Sequence, residues 1–152
     1  MNWLIQFLVA MVATVSFAII FNAPKKELVF CGITGATGWM VFYLLTRGSV
    51  GVVAGSLVAT FCLSIFARIF ASARRKPVTV YLLTGIFSLV PGAGIYYTAY
   101  YFFASNKEMF SYKGAETLEI AIAIVFGIIF GFAIPQSVFN KIAGIVSEKR
   151  KH

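Results

Sequence analysis

Five hydrophobic stretches, each long enough to cross a lipid bilayer, fill most of this chain of 152 residues. They run approximately Trp3–Phe21, Leu28–Thr46, Val50–Ala71, Val78–Phe103 and Ala115–Ile134. A hydrocarbon core about 30 Å thick takes about 20 apolar residues of helix, and a helix satisfies its own backbone within that core. The expected fold is therefore an all-α integral membrane protein with five transmembrane helices in residues 1–135. Charged residues make up 12% of the chain, about half the ~25% of a soluble domain. The segments also lack the polar face that a soluble helix turns to water.

The basic residues are distributed unevenly between alternate loops. One side receives Lys25, Lys26, Arg74, Arg75, Lys76, Lys141, Lys149, Arg150 and Lys151; the other receives Arg47, Lys107 and Lys113. Lys and Arg in short loops stay cytoplasmic, so the expected topology is N-terminus out, C-terminus in. These charges sit at helix ends, where orientation and anionic headgroups account for them without nucleic acid. The first span has no basic residue ahead of it and no small-residue cleavage site, so it reads as a retained helix. Cys31 and Cys62 fall inside spans without a Cys-x-x-Cys spacing, and His152 is the single histidine. Neither a metal site nor a disulfide framework is expected.

The second span carries Gly32, Gly35, Ala36 and Trp39 on one face, and the third carries Gly51, Gly55, Ala59 and Cys62. In lipid, small residues let helices approach closely, so both stripes are read as packing surfaces ahead of pore lining. Gly127 and Gly131 form a further pair, equally suited to contact with another subunit. Arg68 lies one turn before the end of the third span. It either snorkels to the headgroups or meets an anionic substrate group at the inner mouth.

The fourth span is irregular. Val78–Phe103 would extend about 39 Å as a straight helix, yet Leu89-Val-Pro-Gly-Ala-Gly94 lies near its middle. Pro91 removes a ladder hydrogen bond and the flanking glycines loosen the backbone. Two outcomes are open: a proline kink, or two half-helices, roughly Val78–Leu89 and Ala93–Phe103. Tyr96, Tyr97, Tyr100 and Tyr101 follow; some suit the interfacial aromatic belt, and Tyr96 and Tyr97 could offer hydroxyls to a cavity. Glu116 and Glu119 open the fifth span, where the helix dipole accounts for Glu116. Glu119, one turn deeper, is the candidate proton carrier. Residues 136–152 read as a basic amphipathic helix on the cytosolic surface, or as a continuation of the fifth helix through a kink at Pro135.

Several chemistries are absent. The chain has no aspartate, which excludes an aspartyl membrane protease, and no His-Glu-x-x-His motif or phosphate-binding Gly-Lys-Ser/Thr loop. No nucleophile pairs with a base, so an enzyme is not expected.

The order of segments resembles a known family. Phe21-Asn-Ala-Pro-Lys-Lys-Glu-Leu28 leads into Gly32-Ile-Thr-Gly-Ala-Thr-Gly-Trp39; Phe66-Ala-Arg68, Arg75-Lys-Pro77, Val90-Pro-Gly-Ala-Gly-Ile-Tyr96 and Gly114-Ala-Glu-Thr-Leu118 follow. This is similar to the threonine/serine exporter family of the ThrE type, in particular its small membrane subunit in the split form. The resemblance covers about residues 1–131. It implies a secondary exporter of the cell (inner or plasma) membrane that moves threonine and serine, or dicarboxylates such as succinate, without ATP or another cofactor. It implies a larger partner subunit supplying the other half; a homo-oligomer is the alternative. Inverted halves with broken helices meeting near the midplane are a common transporter plan. In that plan Pro91, Gly92, Ala93 and Gly94 would form a carboxylate cradle at a half-helix N-terminus. Tyr96 would hydrogen-bond the substrate, Arg68 would attract an anion and Glu119 would carry a proton. The rival readings are a non-transporting scaffold subunit and a passive channel.

Overall fold

The computed structural model describes residues 2–139, and among these only helices and turns form. The order is α1 (Trp3–Ile20), a 3-10 turn (Lys25–Glu27), α2 (Leu28–Arg47), α3 (Val52–Arg74), α4 (Val78–Ile86), α5 (Gly92–Phe103) and α6 (Lys107–Ala133). Four segments are long and apolar enough to cross a membrane: Trp3–Ile20, Lys25–Arg47, Val52–Arg74 and Lys107–Ala133. The fourth predicted span is two separate helices. At 9 and 12 residues, α4 and α5 reach roughly 14 and 18 Å, so neither crosses alone. Of the tail expected over residues 136–152, the first four residues are helical and the remainder lies outside the described residues.

Four helices end by the same device. Asn22, Ser49, Arg75 and Ser105 adopt positive φ. In each case the next N–H returns to a carbonyl five residues back: Ala23 to Ala18, Val50 to Leu45, Lys76 to Ala71 and Asn106 to Tyr101, at 2.9–3.1 Å. This Schellman closure satisfies terminal carbonyls and reverses the chain tightly, so consecutive helices pack as neighbours. The Asn106 side chain then accepts from the Met109 amide and starts α6 at Lys107, eight residues ahead of the predicted Ala115. Glu116 is consequently well inside α6. The helix dipole acts on Glu108 instead, and Glu116 is ion-paired with Lys113.

α1 packs on α2, α2 on α3, and α3 on α6, with α4 laid against α2 and α3. Close approach at small residues sets these crossings. Gly35 lies on Thr14, Gly38 on Leu63, and Gly127 and Gly131 on the α3 backbone and Ser64. The last pair is thus spent on a contact within the chain. Of the α3 stripe, Ala59 is buried, whereas a Cβ on Gly51 would meet nothing. Thr14, Thr34, Ser56, Thr60, Ser64 and Thr84 return their hydroxyls to carbonyls four residues back, so the bundle interior is polar in composition yet satisfied. α5 differs from the rest: it packs on α6 and buries none of its own residues.

Candidate functional site

The break between α4 and α5 is built from local backbone chemistry. α4 tightens at its end, with Leu89 N–H donating to Ile86 O at 2.8 Å. Pro91 has φ −75° and ψ 62°, and Gly92 N–H donates to Val90 O at 2.8 Å, which is an inverse γ-turn centred on the proline. Pro91 is the N-cap of α5 and offers no side-chain cap. Ile95 N–H closes the first helical bond onto Pro91 O. The amides of Ala93 and Gly94, ahead of that bond, have no acceptor among the described residues. The half-helices meet at residues 87–91, slightly earlier than the sequence reading placed them, because the proline ring excludes the preceding turn from the helix.

These amides open on a cavity of about 370 Å³. Pro91, Gly92, Ala93 and Gly94 form one wall, Trp39 and Phe42 of α2 another, Ser56 and Ser88 a third, and Lys113, Glu116 and Thr117 of α6 the last. Lys113 Nζ sits 2.7 Å from Glu116 Oε2, so a cation and an anion share the wall. Ser88 shares a 2.8 Å hydrogen bond with Thr14. Trp39 Nε1 donates to Gln6 Oε1 at 2.9 Å. Trp39 and Ser88 also line a second cavity of about 180 Å³ between α1 and α2, which places these two side chains as a partition.

The other predicted site residues lie elsewhere. Tyr96 is 64% exposed and absent from the cavity wall, whereas its neighbour Tyr97 contributes to it. Glu119 is exposed on α6, outside this cavity. Arg68 is 6% exposed and does not snorkel. Its Nη1 donates to Gly131 O at 2.7 Å and Ile134 O at 2.6 Å, and its Nη2 donates to Gln136 Oε1 at 2.7 Å. Arg68 thereby caps the C-terminus of α6, where Pro135 leaves carbonyls unpaired. It borders a different cavity, of about 300 Å³.

Sequence reasoning missed Lys113, Trp39, Ser56 and Ser88 as wall residues. The i,i+3 spacing of Lys113 and Glu116 was a readable signal for their ion pair, though not for its place beside the break. It also missed a buried cluster. Glu27, 2% exposed, takes both Nε and Nη2 of Arg74 and the Tyr81 hydroxyl, the last at 2.7 Å.

The family described as Threonine/Serine exporter, ThrE matches residues 6–134. The chain belongs to the threonine/serine exporter family. The match extends from α1 to the last turn of α6 and so takes in the break and every wall of the cavity. An uncharacterized protein of Haemophilus influenzae is 27% identical over 147 residues, covering 91% of this chain and 48% of the relative. The chain thus spans about half the length of the curated relative it matches. No solved structure matches. Family membership and the long apolar helices support a membrane location, and the family's description points to transport rather than catalysis.

Proposed function

We propose that the protein is the small membrane subunit of a secondary exporter and that the cavity at the α4–α5 break holds a small amino acid of the threonine/serine kind. The observation that carries this reading is the pairing of two unbonded amides at a helix N-terminus with a Lys113–Glu116 ion pair across one cavity of about 370 Å³. A zwitterion has both charges to match. Its carboxylate would take the Ala93 and Gly94 N–H groups, aided by the dipole of α5. Its ammonium would face Glu116, and a side-chain hydroxyl has Ser56 or Ser88 within the same wall. A dicarboxylate such as succinate could place its second carboxylate on Lys113 only beside Glu116 and in competition with it, so the wall favours amino acids over organic acids.

In this proposal α4 and α5 together make the fourth of five crossings, with the N-terminus outside and the basic end of α3 in the cytosol. The inner or plasma membrane of the cell is the setting. A larger partner subunit supplies what the longer relative carries beyond the shared half. Tyr96 and Glu119 are exposed here, so the roles suggested for them, substrate hydroxyl and proton carrier, require the partner's surface to cover them.

The test is counterflow in vesicles holding this chain together with its larger partner. Threonine and serine should exchange faster than succinate, and Glu116→Gln should narrow that preference. Equal exchange of all three in wild type, with no change in the variant, would remove the cavity from the pathway and leave a scaffold role for this subunit.

A further inference from the structure

A second site lies at the other end of α3. The Schellman turn after α3 sets Arg75 in the left-handed conformation, φ 53°, with Lys76 closing back onto Ala71. Asn22, Ser49 and Ser105, which hold the equivalent turns, are short polar residues suited to that geometry. Arg75 is long and charged, and glycine would suit its backbone better. Its side chain borders the cavity of about 300 Å³ that Arg68 and Lys76 also line, with Ser72 and Gln136 between them.

Three cations therefore border one open space, with no carboxylate in its wall among the described residues. The buried acid among the described residues, Glu27, is occupied by Arg74 and Tyr81. Arg68 is held rigidly by Gly131, Ile134 and Gln136. A guanidinium has five N–H groups, and those three bonds leave Nε–H and one Nη2–H without a partner among the described residues. Gln136 Nε2 in turn donates to Ser72 Oγ at 2.9 Å, so the polar wall is ordered as well as charged. Like-charged side chains gathered at a membrane boundary, one of them held and two exposed, are stabilised by a multivalent anion with several acceptor oxygens.

We propose that this cavity binds a phosphate group, supplied by the headgroup of an anionic phospholipid or by a soluble phosphate. Arg68 is the fixed floor of the site, and Arg75 and Lys76 close over it. The site is separate from the cavity at the helix break and stands whichever solute the protein exports.

The experiment uses the full chain in detergent, equilibrated with phosphatidylglycerol or phosphatidylcholine, and counts retained lipid by native mass spectrometry. One phosphatidylglycerol should stay bound where phosphatidylcholine does not. Each cation near such a headgroup contributes roughly a fivefold gain in affinity, so Arg75→Gln with Lys76→Gln should weaken retention about 25-fold. Lys25→Gln with Lys26→Gln removes as much charge at the same end but outside the cavity, and should change retention less than twofold. Arg75→Gly should raise the melting temperature of lipid-free protein while lowering lipid retention, two effects that a purely structural arginine would not separate. Displacement of the lipid by millimolar inorganic phosphate would identify the soluble source; resistance to it would identify the headgroup. Equal weakening by both double variants, equal retention of the two lipids, or displacement by threonine or succinate as effective as by phosphate would overturn the proposal.

Discussion

Gly94 of α5 sits so close to Thr117 of α6 that a Cβ at residue 94 would overlap the threonine hydroxyl, while two residues earlier a Cβ on Gly92 would meet nothing. One glycine fixes how α5 lies on α6; the other faces the open cavity. The two positions therefore separate structure from function. Gly94→Ala should loosen the α5–α6 contact and lower the melting temperature. Gly92→Leu should leave melting unchanged within a degree or two and abolish or strongly slow threonine counterflow by filling the cavity. Thermal unfolding and transport measured on the same preparations check this. Normal transport by a well-folded Gly92→Leu protein would exclude the cradle.

The α3–α6 contact offers a stability test. A Cβ on Gly127 would come 2.6 Å from the Leu57 carbonyl and 2.9 Å from Thr60 Cβ, against backbone that cannot swing aside. Gly127→Ala should cost about 1–3 kcal/mol by overpacking. Gly51→Ala, at the N-cap of α3, meets no atom, and losing the glycine cap should cost less than Gly127→Ala, at most about 1 kcal/mol. Denaturation midpoints in one detergent compare the pair.

The Glu27 cluster predicts an order of effects. Arg74→Leu strands a buried carboxylate with only the Tyr81 hydroxyl, whereas Glu27→Gln keeps a neutral acceptor for both partners. Removing the cation should therefore lower the melting temperature more than neutralising the acid. Tyr81→Phe deletes one hydrogen bond to a charged group and should cost about 1.5 kcal/mol. The reverse order between Arg74→Leu and Glu27→Gln would show that the ion pair does not hold the helix ends together.

Trp39 is a natural reporter. It lines the cavity and is half-buried, while Trp3 is exposed at the start of α1. In a Trp3→Phe protein all indole emission comes from the cavity wall. Threonine should shift or quench that emission with the same concentration dependence as transport, and Gly92→Leu should remove the response. Transport without any change in Trp39 emission would place the solute elsewhere.

Much of this architecture could be read residue by residue. The apolar runs announced α1, α2, α3 and α6, and Pro91 with its glycines announced a disruption of the fourth span. The choice between kink and break was not readable, because it depends on whether neighbouring helices leave room for a γ-turn. The start of α6 was misplaced because the Asn106 cap draws the polar segment 107–114 into the helix, against the hydropathy signal. Snorkelling or anion binding are the readings the sequence offers for Arg68, since nothing local shows that the last carbonyls of α6 end beside it.

What the sequence determined by itself is therefore segmental. A run of apolar residues has its transfer free energy, a proline lacks its N–H and an asparagine carries a side-chain oxygen that can cap a helix, whatever lies nearby. Tertiary structure decided which groups come together: Glu27 bonds Arg74 across 47 residues, Arg68 bonds Ile134 across 66, and the Lys113–Glu116 pair lines the same cavity as the start of α5. Those meetings follow from helix crossings set by close approach at Gly35, Gly38, Gly127 and Gly131, and a crossing is a property of two surfaces together, which neither segment encodes alone.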